Sequence, residues 1–368
     1  MAEKEKNGNR SSKKTTLYRM IYDDLKAKIL NRIYSDGDRI PFERELCEEY
    51  GVERITARKA LELLVADGLL EKRPGLGSFV RLPKLSNGQS ASRNILFVMA
   101  KNQNDISENP SAFNSGLFYA IEEECRNRSY SLIYAVLDEK GDLRDLINEN
   151  TLAGILFVSY IPKGILDQCV QMRIPAICLN NRHEKMISIV PENEAATYKA
   201  VMYLQEQGHR KIGILLGRRD YYSTIERFKG YSAAINAVTP PVDPRYVLEG
   251  DWTFDGARNA ILEMLSTLGP DELPTAIFCC SDMMAIGAMD ALKEKNLSIP
   301  RDISVMGFDN IQQSLHVYPR LSTVSADIKL MAKLAVERII KYEETVESGG
   351  YLIMIPASIE QRQSVGKI

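Results

Sequence analysis

The 368-residue sequence is poor in the residues that build metal sites. It has six cysteines and three histidines, and the cysteines, at positions 47, 125, 169, 178, 279 and 280, show no metal-ligand spacing. The pattern is typical of reduced thiols rather than of a zinc site. We therefore expect no metal site, and nothing in the sequence calls for another cofactor.

Long apolar runs are also lacking. No run reaches the roughly 18 residues needed to span a bilayer, and the start of the chain, MAEKEKNGNRSSKK, lacks the apolar core of a signal peptide. These absences predict a soluble, cytoplasmic protein with no membrane partner. The hydrophobic content of 45% is ample for folded cores, and the length predicts two or three domains.

Motifs for catalysis are absent as well. Gly75-x-Gly77 has no third glycine at the spacing of a dinucleotide-binding loop, and neither G-x-x-x-x-G-K-S/T nor the nucleophile elbow G-x-S-x-G occurs. Arg227 with Asp282 and Asp309 suits acid-base chemistry, but no residue stands out as a nucleophile. We therefore expect no catalytic residues and no enzyme.

What the chain does contain, near its N-terminus, is a surface suited to nucleic acid. A short helix is predicted from about Glu43 to Tyr50, and Gly51 ends it. A second helix, Arg54 to Ala66, has apolar residues at helical spacing and basic and hydroxylic residues in its first turns. Leu69 to Arg73 and Ser78 to Arg81, joined by a glycine-containing turn, predict a two-stranded wing. This order is typical of domains that read the major groove of DNA.

Three phrases in this segment carry a family pattern: PFERELC at 41–47, GVERITARKAL at 51–61, and the wing at 68–80. Over about 17–80 the chain resembles the winged helix-turn-helix of the gluconate-repressor (GntR) family of bacterial transcription factors. Phe42 and Glu53 stand where that family has serine, so the family's contact at Glu53 should not be assumed. The resemblance implies five DNA-contacting positions: Arg44, Arg54, Thr56, Arg58 and Gly75. The alternative is that these arginines only solvate helix ends.

Charge is unevenly distributed along the chain. Residues 1–93 carry 19 basic and 14 acidic residues, and the remainder carries 28 and 35. A modestly basic N-terminal part on an acidic body suits nucleic-acid binding through one end. We expect residues 1–16 to be a disordered tail, 17–82 to be the DNA-binding domain, and 83–93, rich in polar residues and glycine, to be a flexible linker.

From Asn94 onward, short apolar runs alternate with helical stretches, which predicts parallel sheets covered on both faces and two similar α/β lobes. Ligands of such sheets lie beyond the carboxyl ends of the strands. The polar and aromatic residues expected there are Asn180, Ser281, Asp282 and Asp309 after strands, with Arg227 and Trp252 in loops. This set suits a polyhydroxyl compound, such as a sugar. Each residue alone could equally be a helix cap, a turn or core.

Further phrases carry a second pattern, among them LQEQGHRKIGILLG at 204–217, DMMAIGA at 282–288 and IPRDISVMGFDN at 299–310. Residues 94–363 resemble the effector domain of the lactose-repressor (LacI/GalR) family, which is similar to periplasmic sugar-binding proteins. The resemblance implies one lobe of about 94–192 plus 326–342, and another of about 193–325 plus 351–363. It also implies that the six cleft residues bind effector. Ser281 departs from the family's asparagine, which leaves the sugar open.

The expected fold is therefore α/β, a small winged helix-turn-helix domain followed by a two-lobed periplasmic-binding-protein-like sensor with parallel sheets. The fusion resembles arabinose-responsive repressors. We expect a homodimeric repressor that binds double-stranded operator DNA and is released by a small sugar, a pentose such as arabinose or a related monosaccharide. The alternative is a DNA-binding regulator that senses a non-sugar metabolite or a partner protein.

Overall fold

The computed structural model describes residues 17–26, 28–29, 33–81, 93–101, 111–137, 143–148, 152–238, 242–342 and 350–368. The chain divides into two compact units, Met1–Ser92 and Arg93–Ile368. The expected tail at 1–16 and almost all of the expected linker, 83–92, lie outside the described residues. No helix in the described ranges has the length and apolar character needed to cross a bilayer.

The first unit is a three-helix domain with a two-stranded wing. Its elements are α1 (residues 17–26, continuing at 28–29), α2 (Glu43–Tyr50), α3 (Arg54–Ala66), β1 (Leu70–Arg73) and β2 (Gly77–Val80). Gly51 takes a left-handed conformation, with φ of 63°, and its N–H donates to the carbonyl of Cys47, which ends α2. The wing strands pair antiparallel, with Leu70 opposite Val80. The predicted winged helix-turn-helix is confirmed.

The apolar residues of the three helices form one buried core. Ile21 and Leu25 of α1, Leu46 of α2 and Leu64 of α3 are each fully buried in one cluster. Because these residues recur at helical spacing, all three helices turn one face inward. The first turns of α3 are left outside the core, except for Thr56, Ala57 and Ala60, which are buried.

The second unit consists of two lobes, each built on a six-stranded sheet. Lobe one contains β3 (Asn94–Ala100), α4 (Ala112–Asn127), β4 (Ser131–Leu137), α5 (Leu143–Asn148), β5 (Gly154–Val158), α6 (Lys163–Met172), β6 (Ala176–Leu179), β7 (Ile187–Pro191), α11 (Ile328–Ile340) and β13 (Leu352–Ile355). Its strand order is β13-β7-β6-β5-β3-β4, and every pair is parallel.

Lobe two has the same plan with one antiparallel edge. It contains α7 (Asn193–Glu206), β8 (Ile212–Leu216), α8 (Tyr222–Val238), β9 (Val247–Glu249), α9 (Phe254–Thr267), β10 (Ala276–Cys279), α10 (Asp282–Glu294), β11 (Ser304–Phe308), β12 (Ser322–Ala326) and β14 (Ala357–Glu360). Its strand order is β14-β12-β11-β10-β8-β9, and only β14 runs antiparallel. Strands β5, β7, β8, β10 and β11 are buried throughout, as strands covered on both faces must be.

The chain passes between the lobes three times, after β7, after β12 and between β13 and β14. The expectation that 351–363 lies wholly in lobe two is wrong for its first part. Leu352–Ile355 pairs with β7 of lobe one, where Ile353 lies opposite Ile189, and so covers an edge that would otherwise be open. The third crossing therefore lies at Pro356, and the following residues join lobe two.

Candidate functional site

The carboxyl ends of the strands carry an unusual backbone conformation. Nine described non-glycine residues have positive φ, and six of them follow strands directly or within three residues: Ser159, Asn180, Asp251, Trp252, Asp309 and Asn310. Each such residue costs about 1–3 kcal/mol, and such strain concentrates where side chains must be aimed at a ligand. In open parallel sheets this edge is also where ligands bind. The strand ends are therefore the candidate site.

Arg227 lies at the centre of these strand ends. It is on the second turn of α8, and the expectation that it falls in a loop is wrong. Its side chain is fully buried, and Nε donates to Oδ1 of Asn193 at 2.8 Å while Nη1 donates to the carbonyl of Cys280. The guanidinium lies 3.5 Å from the ring centroid of Phe308, and Nη2 is 3.7 Å from Oδ1 of Asp309. Burial lowers the pKa of Arg227, and Asp309 opposes that shift.

Asp309 is the acidic group that faces this guanidinium. Burial raises the pKa of Asp309 to about 7, and the nearby Arg227 acts in the opposite direction. A separation of 3.7 Å between Nη2 and Oδ1 is too long for a direct hydrogen bond. Donors of Arg227 and acceptors of Asp309 are therefore available to a hydroxyl group placed beside them.

Asp282 has a different surrounding from Asp309. Its carboxylate is fully buried and accepts hydrogen bonds from the N–H of Ile311, at 2.8 Å, and from the hydroxyl of Thr323. Burial raises the pKa of Asp282 well above its usual value. Both of its oxygens bond to the protein itself, so this residue fixes the loop that begins at Asp309. Ser281, beside it, caps α10 by accepting the N–H of Met284.

Three aromatic side chains connect Arg227 of lobe two with lobe one. The indole of Trp252 is 5.7 Å from the guanidinium of Arg227 and 6.0 Å from the ring of Tyr221. Tyr221 in turn stacks on Tyr160 of lobe one, with centroids 5.0 Å apart and an interplanar angle of 15°. Gly217 lets the indole approach, because a Cβ there would lie 2.0 Å from the ring. The two lobes therefore touch through the tyrosine pair.

Tyr160 and Tyr221 were not predicted from the sequence as site residues. Loop tyrosines have no periodicity, and the available signal was that Tyr160 stands two residues after β5, as Asp309 stands one residue after β11. Asn193 was missed for a similar reason. It opens α7 at a crossing between lobes, so its contact with Arg227 spans 34 residues of sequence.

Three buried polar atoms near the strand ends have no hydrogen-bond partner among the described residues. They are Oδ1 of Asn180, Nδ2 of Asn193 and Nε1 of Trp252. A buried polar atom without a partner costs about 1–3 kcal/mol. One acceptor and two donors thus remain for a ligand. We call Asn180, Asn193, Arg227, Trp252 and Asp309 the cleft cluster.

A cavity of about 530 Å³ lies beside Asp309 and Asn310, where two of the crossings between lobes meet at Ala326–Asp327 and Pro356. It is widely open to solvent, and Asp309 is the one member of the cleft cluster among its lining residues. In the described parts of the chain, no three His, Cys, Asp or Glu side chains come together in a way that could hold a metal ion.

The first unit carries a separate cluster of charged residues at the start of α3. Arg54 donates from Nε to Glu43 at 2.8 Å, and Arg58 donates from Nε and Nη2 to the same carboxylate at 3.1 Å each. The side chain of Glu43 is 15% exposed, against 74% and 48% for the two arginines. Hydrogen bonds from Arg58 and Arg54 hold the pKa of Glu43 down at about 2. Glu43 was not predicted from the sequence as a functional residue.

The other predicted DNA-contacting positions differ in their exposure to solvent. Arg44 is exposed and pairs with Glu48 one turn away. Gly75 lies at the wing turn with φ of 76°, a conformation that favours glycine. Thr56, however, is only 6% exposed and packs with the core face of α3. The structure therefore brings Arg54 and Arg58 together on one exposed surface and turns Thr56 inward.

Both units match known families. Residues 17–80 match the model for bacterial regulatory proteins of the gntR family, and residues 201–365 match the periplasmic binding protein-like domain. The HTH-type transcriptional repressor PurR of Vibrio atlanticus is 30% identical, over 64% of this chain and 72% of its own length. The ribose operon repressor of Haemophilus influenzae is 27% identical, over 71% of this chain and 79% of its own.

Solved structures agree with these matches. A regulatory protein of the LacI family from Chloroflexus aggregans is 26% identical and superposes with a TM-score of 0.63, covering 74% of this chain and 98% of its own. The predicted fold class and the two family resemblances are thus confirmed. The chain belongs to the LacI-type family of transcriptional repressors and carries a GntR-type winged helix-turn-helix as its DNA-binding domain.

Proposed function

We propose that this repressor is released from its operator by a monosaccharide, most simply a pentose such as arabinose, bound at the cleft cluster. The observation that carries the proposal is the pair of unpartnered buried donors, Nδ2 of Asn193 and Nε1 of Trp252, on side chains that contact Arg227 beside Asp309. The unpartnered Oδ1 of Asn180, at a strand end of lobe one, adds an acceptor. Such a set has donors and acceptors for several adjacent hydroxyl groups. A pentose is also consistent with the similarity to a ribose operon repressor.

In this proposal four members of the cleft cluster have distinct tasks. Asp309 accepts hydrogen bonds from two neighbouring hydroxyls, and Nη2 of Arg227, 3.7 Å from Oδ1 of Asp309, donates to one of them from beside the pair. Asn180 supplies an acceptor from lobe one, and the indole of Trp252 covers the C–H face of the sugar. Ser281 and Asp282 hold the surrounding loops, since their polar atoms already bond to the protein.

Closure of the cleft is what the sugar stabilises in this mechanism. Asn180 belongs to lobe one and the remaining groups to lobe two or the crossing, so all contacts form together only when the lobes meet. The Tyr160–Tyr221 stack is one contact between the lobes in that closed form. It leaves no room for a planar base between the two rings, which argues against a nucleobase held there.

We propose that the protein acts as a homodimer, so that lobe closure changes the relation between two DNA-binding domains. By linkage, sugar must weaken operator binding by the same factor by which operator weakens sugar binding, a factor of typically about 5 to 150. Footprinting should show two half-sites protected together, and protection of a single half-site by a monomer would contradict the dimer.

The test is a screen of pentoses, hexoses, nucleobases and amino acids by thermal shift, followed with the fluorescence of Trp252, the only tryptophan of the chain. We expect saturable stabilisation by one pentose, and its loss in Asp309→Ala while operator binding persists. Ser281→Ala serves as the matched control, since Ser281 lines the same strand ends but caps α10. Release from operator by sugar in Asp309→Ala at wild-type concentrations would place the ligand elsewhere, and a response only to a nucleobase would overturn the sugar.

A further inference from the structure

The two arginines expected to read bases do not stand free on α3. Both donate to one carboxylate, Glu43, which belongs to the first turn of the preceding helix. Glu43 is the least exposed member of the three, so the carboxylate is fixed by packing while the guanidinium groups reach outward. We propose that Glu43 is a positioning residue for sequence reading, which orders Arg54 and Arg58 before the protein meets DNA. The inference rests on the DNA-binding role of this domain.

The geometry of the Arg58 contact leaves its base-reading edge free. A guanidinium offers five N–H groups, and Glu43 takes the side of the group formed by Nε and Nη2. The outer edge, formed by Nη1 and the second N–H of Nη2, has no described hydrogen-bond partner in the structure. That outer edge is the pair of parallel donors that matches O6 and N7 of guanine in the major groove. Glu43 and guanine can therefore hold Arg58 at the same time.

Ordering by Glu43 has an energetic reason. A free arginine on a helix surface samples many rotamers, and fixing it on a base costs side-chain conformational entropy. The bonds to Glu43 remove part of that loss before binding. The same carboxylate carries a negative charge close to the phosphate backbone, which repels DNA of any sequence. Glu43 should therefore favour the operator and disfavour other DNA.

The ordering of the arginines and the repulsion of phosphates act on DNA binding in opposite directions, so the variant Glu43→Gln can separate them. It keeps the side-chain shape but removes the charge. Two probes are used, an operator duplex selected from a random pool by the wild-type protein and a scrambled duplex of equal length. We expect Glu43→Gln to weaken operator binding about 10-fold, from the lost order of two arginines. Binding of the scrambled duplex should stay equal or become tighter by roughly 2-fold, from the lost repulsion.

The matched control is Glu62→Gln. Glu62 lies one turn beyond Arg58 on α3, is exposed, and acts on Arg58 through its charge alone. Removing this charge should move operator and scrambled binding in the same direction by similar factors. Helical circular dichroism and thermal unfolding of each variant report whether the domain still folds.

A second variant keeps the test valid if Glu43→Gln is destabilised. In an Arg54→Ala, Arg58→Ala background, replacing Glu43 should not weaken operator binding, because no arginine remains to be ordered, and the lost repulsion should leave the affinity equal or tighter by roughly 2-fold. An equal loss on both duplexes by Glu43→Gln, or the same loss in the background without these arginines, would show that Glu43 only supports the fold. Unchanged operator binding in Glu43→Gln would also overturn the proposal. Sugar release, measured in parallel, should be unaffected, so this result is independent of the proposed effector.

Discussion

Burial of the ionised Asp309 carboxylate lowers the stability of the folded protein, and a single substitution should remove this cost. Its carboxyl is nearly buried, and its pKa is raised to about 7 because burial outweighs the attraction of Arg227. Replacing it with asparagine keeps the size of the side chain and resembles the protonated carboxyl. We predict that Asp309→Asn stabilises the protein against unfolding above pH 7 when no sugar is added, although it should abolish the response to sugar.

The magnitude follows from the pKa of Asp309 in the two states. An unfolded chain ionises this carboxyl near 3.8, and the folded protein does so near 7. Between these values the folded state binds more protons than the unfolded state, so stability falls as pH rises. Above pH 7 the ionised form is disfavoured by about 4 kcal/mol. Asp309→Asn should therefore gain up to about 4 kcal/mol at pH 8 and nothing near pH 4.

The assay is thermal and urea unfolding of the full chain from pH 4 to pH 8.5, followed by Trp252 fluorescence. For a unit of this size, about 4 kcal/mol corresponds to a shift of the midpoint on the order of 10 °C. Asp271→Asn is the control, because Asp271 is an exposed carboxylate on the same lobe. Its unfolding midpoint should follow that of the wild type at each pH.

An Asp309→Asn variant that is less stable than wild type at pH 8, or a stability difference that does not change with pH, would refute the raised pKa of Asp309. Either result would mean that the ion pair with Arg227 outweighs the burial of Asp309. The carboxyl would then be an ordinary structural acid with a low pKa. Its assignment to the sugar site would have to rest on other observations.

Two further predictions concern the two surfaces separately. Arg58→Ala should weaken operator binding by about 1–3 kcal/mol without changing sugar affinity. Operator and scrambled duplex titrations measure this, and a loss that is equal on both duplexes would assign Arg58 to the phosphates. Tyr160→Ala should weaken sugar binding by about 0.5–1.5 kcal/mol, since it removes the stack with Tyr221 that forms between lobes. Operator binding without sugar should be unchanged. Sugar affinity is measured by fluorescence titration with the sugar identified by the screen, and an unchanged sugar affinity would contradict the prediction.

The local order of the chain could be predicted from sequence. The helix at Arg54–Ala66 and the end of the preceding helix at Gly51 were predicted as the structure has them, because periodic burial and a left-handed glycine are local properties. The same holds for the apolar strands of both lobes, whose unbroken hydrophobic runs require cover on both faces. The position of the candidate site could also be predicted, since polar residues directly after such runs must lie at one edge of a parallel sheet.

Only the tertiary structure decided which of those strand-end residues meet. Asp282 and Asp309 look alike in sequence, yet one bonds to Ile311 and Thr323 within the protein and the other faces Arg227. The stack of Tyr160 on Tyr221 joins residues of two lobes, and the contacts of Glu43 cross a turn between two helices. Such contacts depend on how helices and sheets pack, and a sequence pattern with a period of two or 3.6 residues carries no information about that packing.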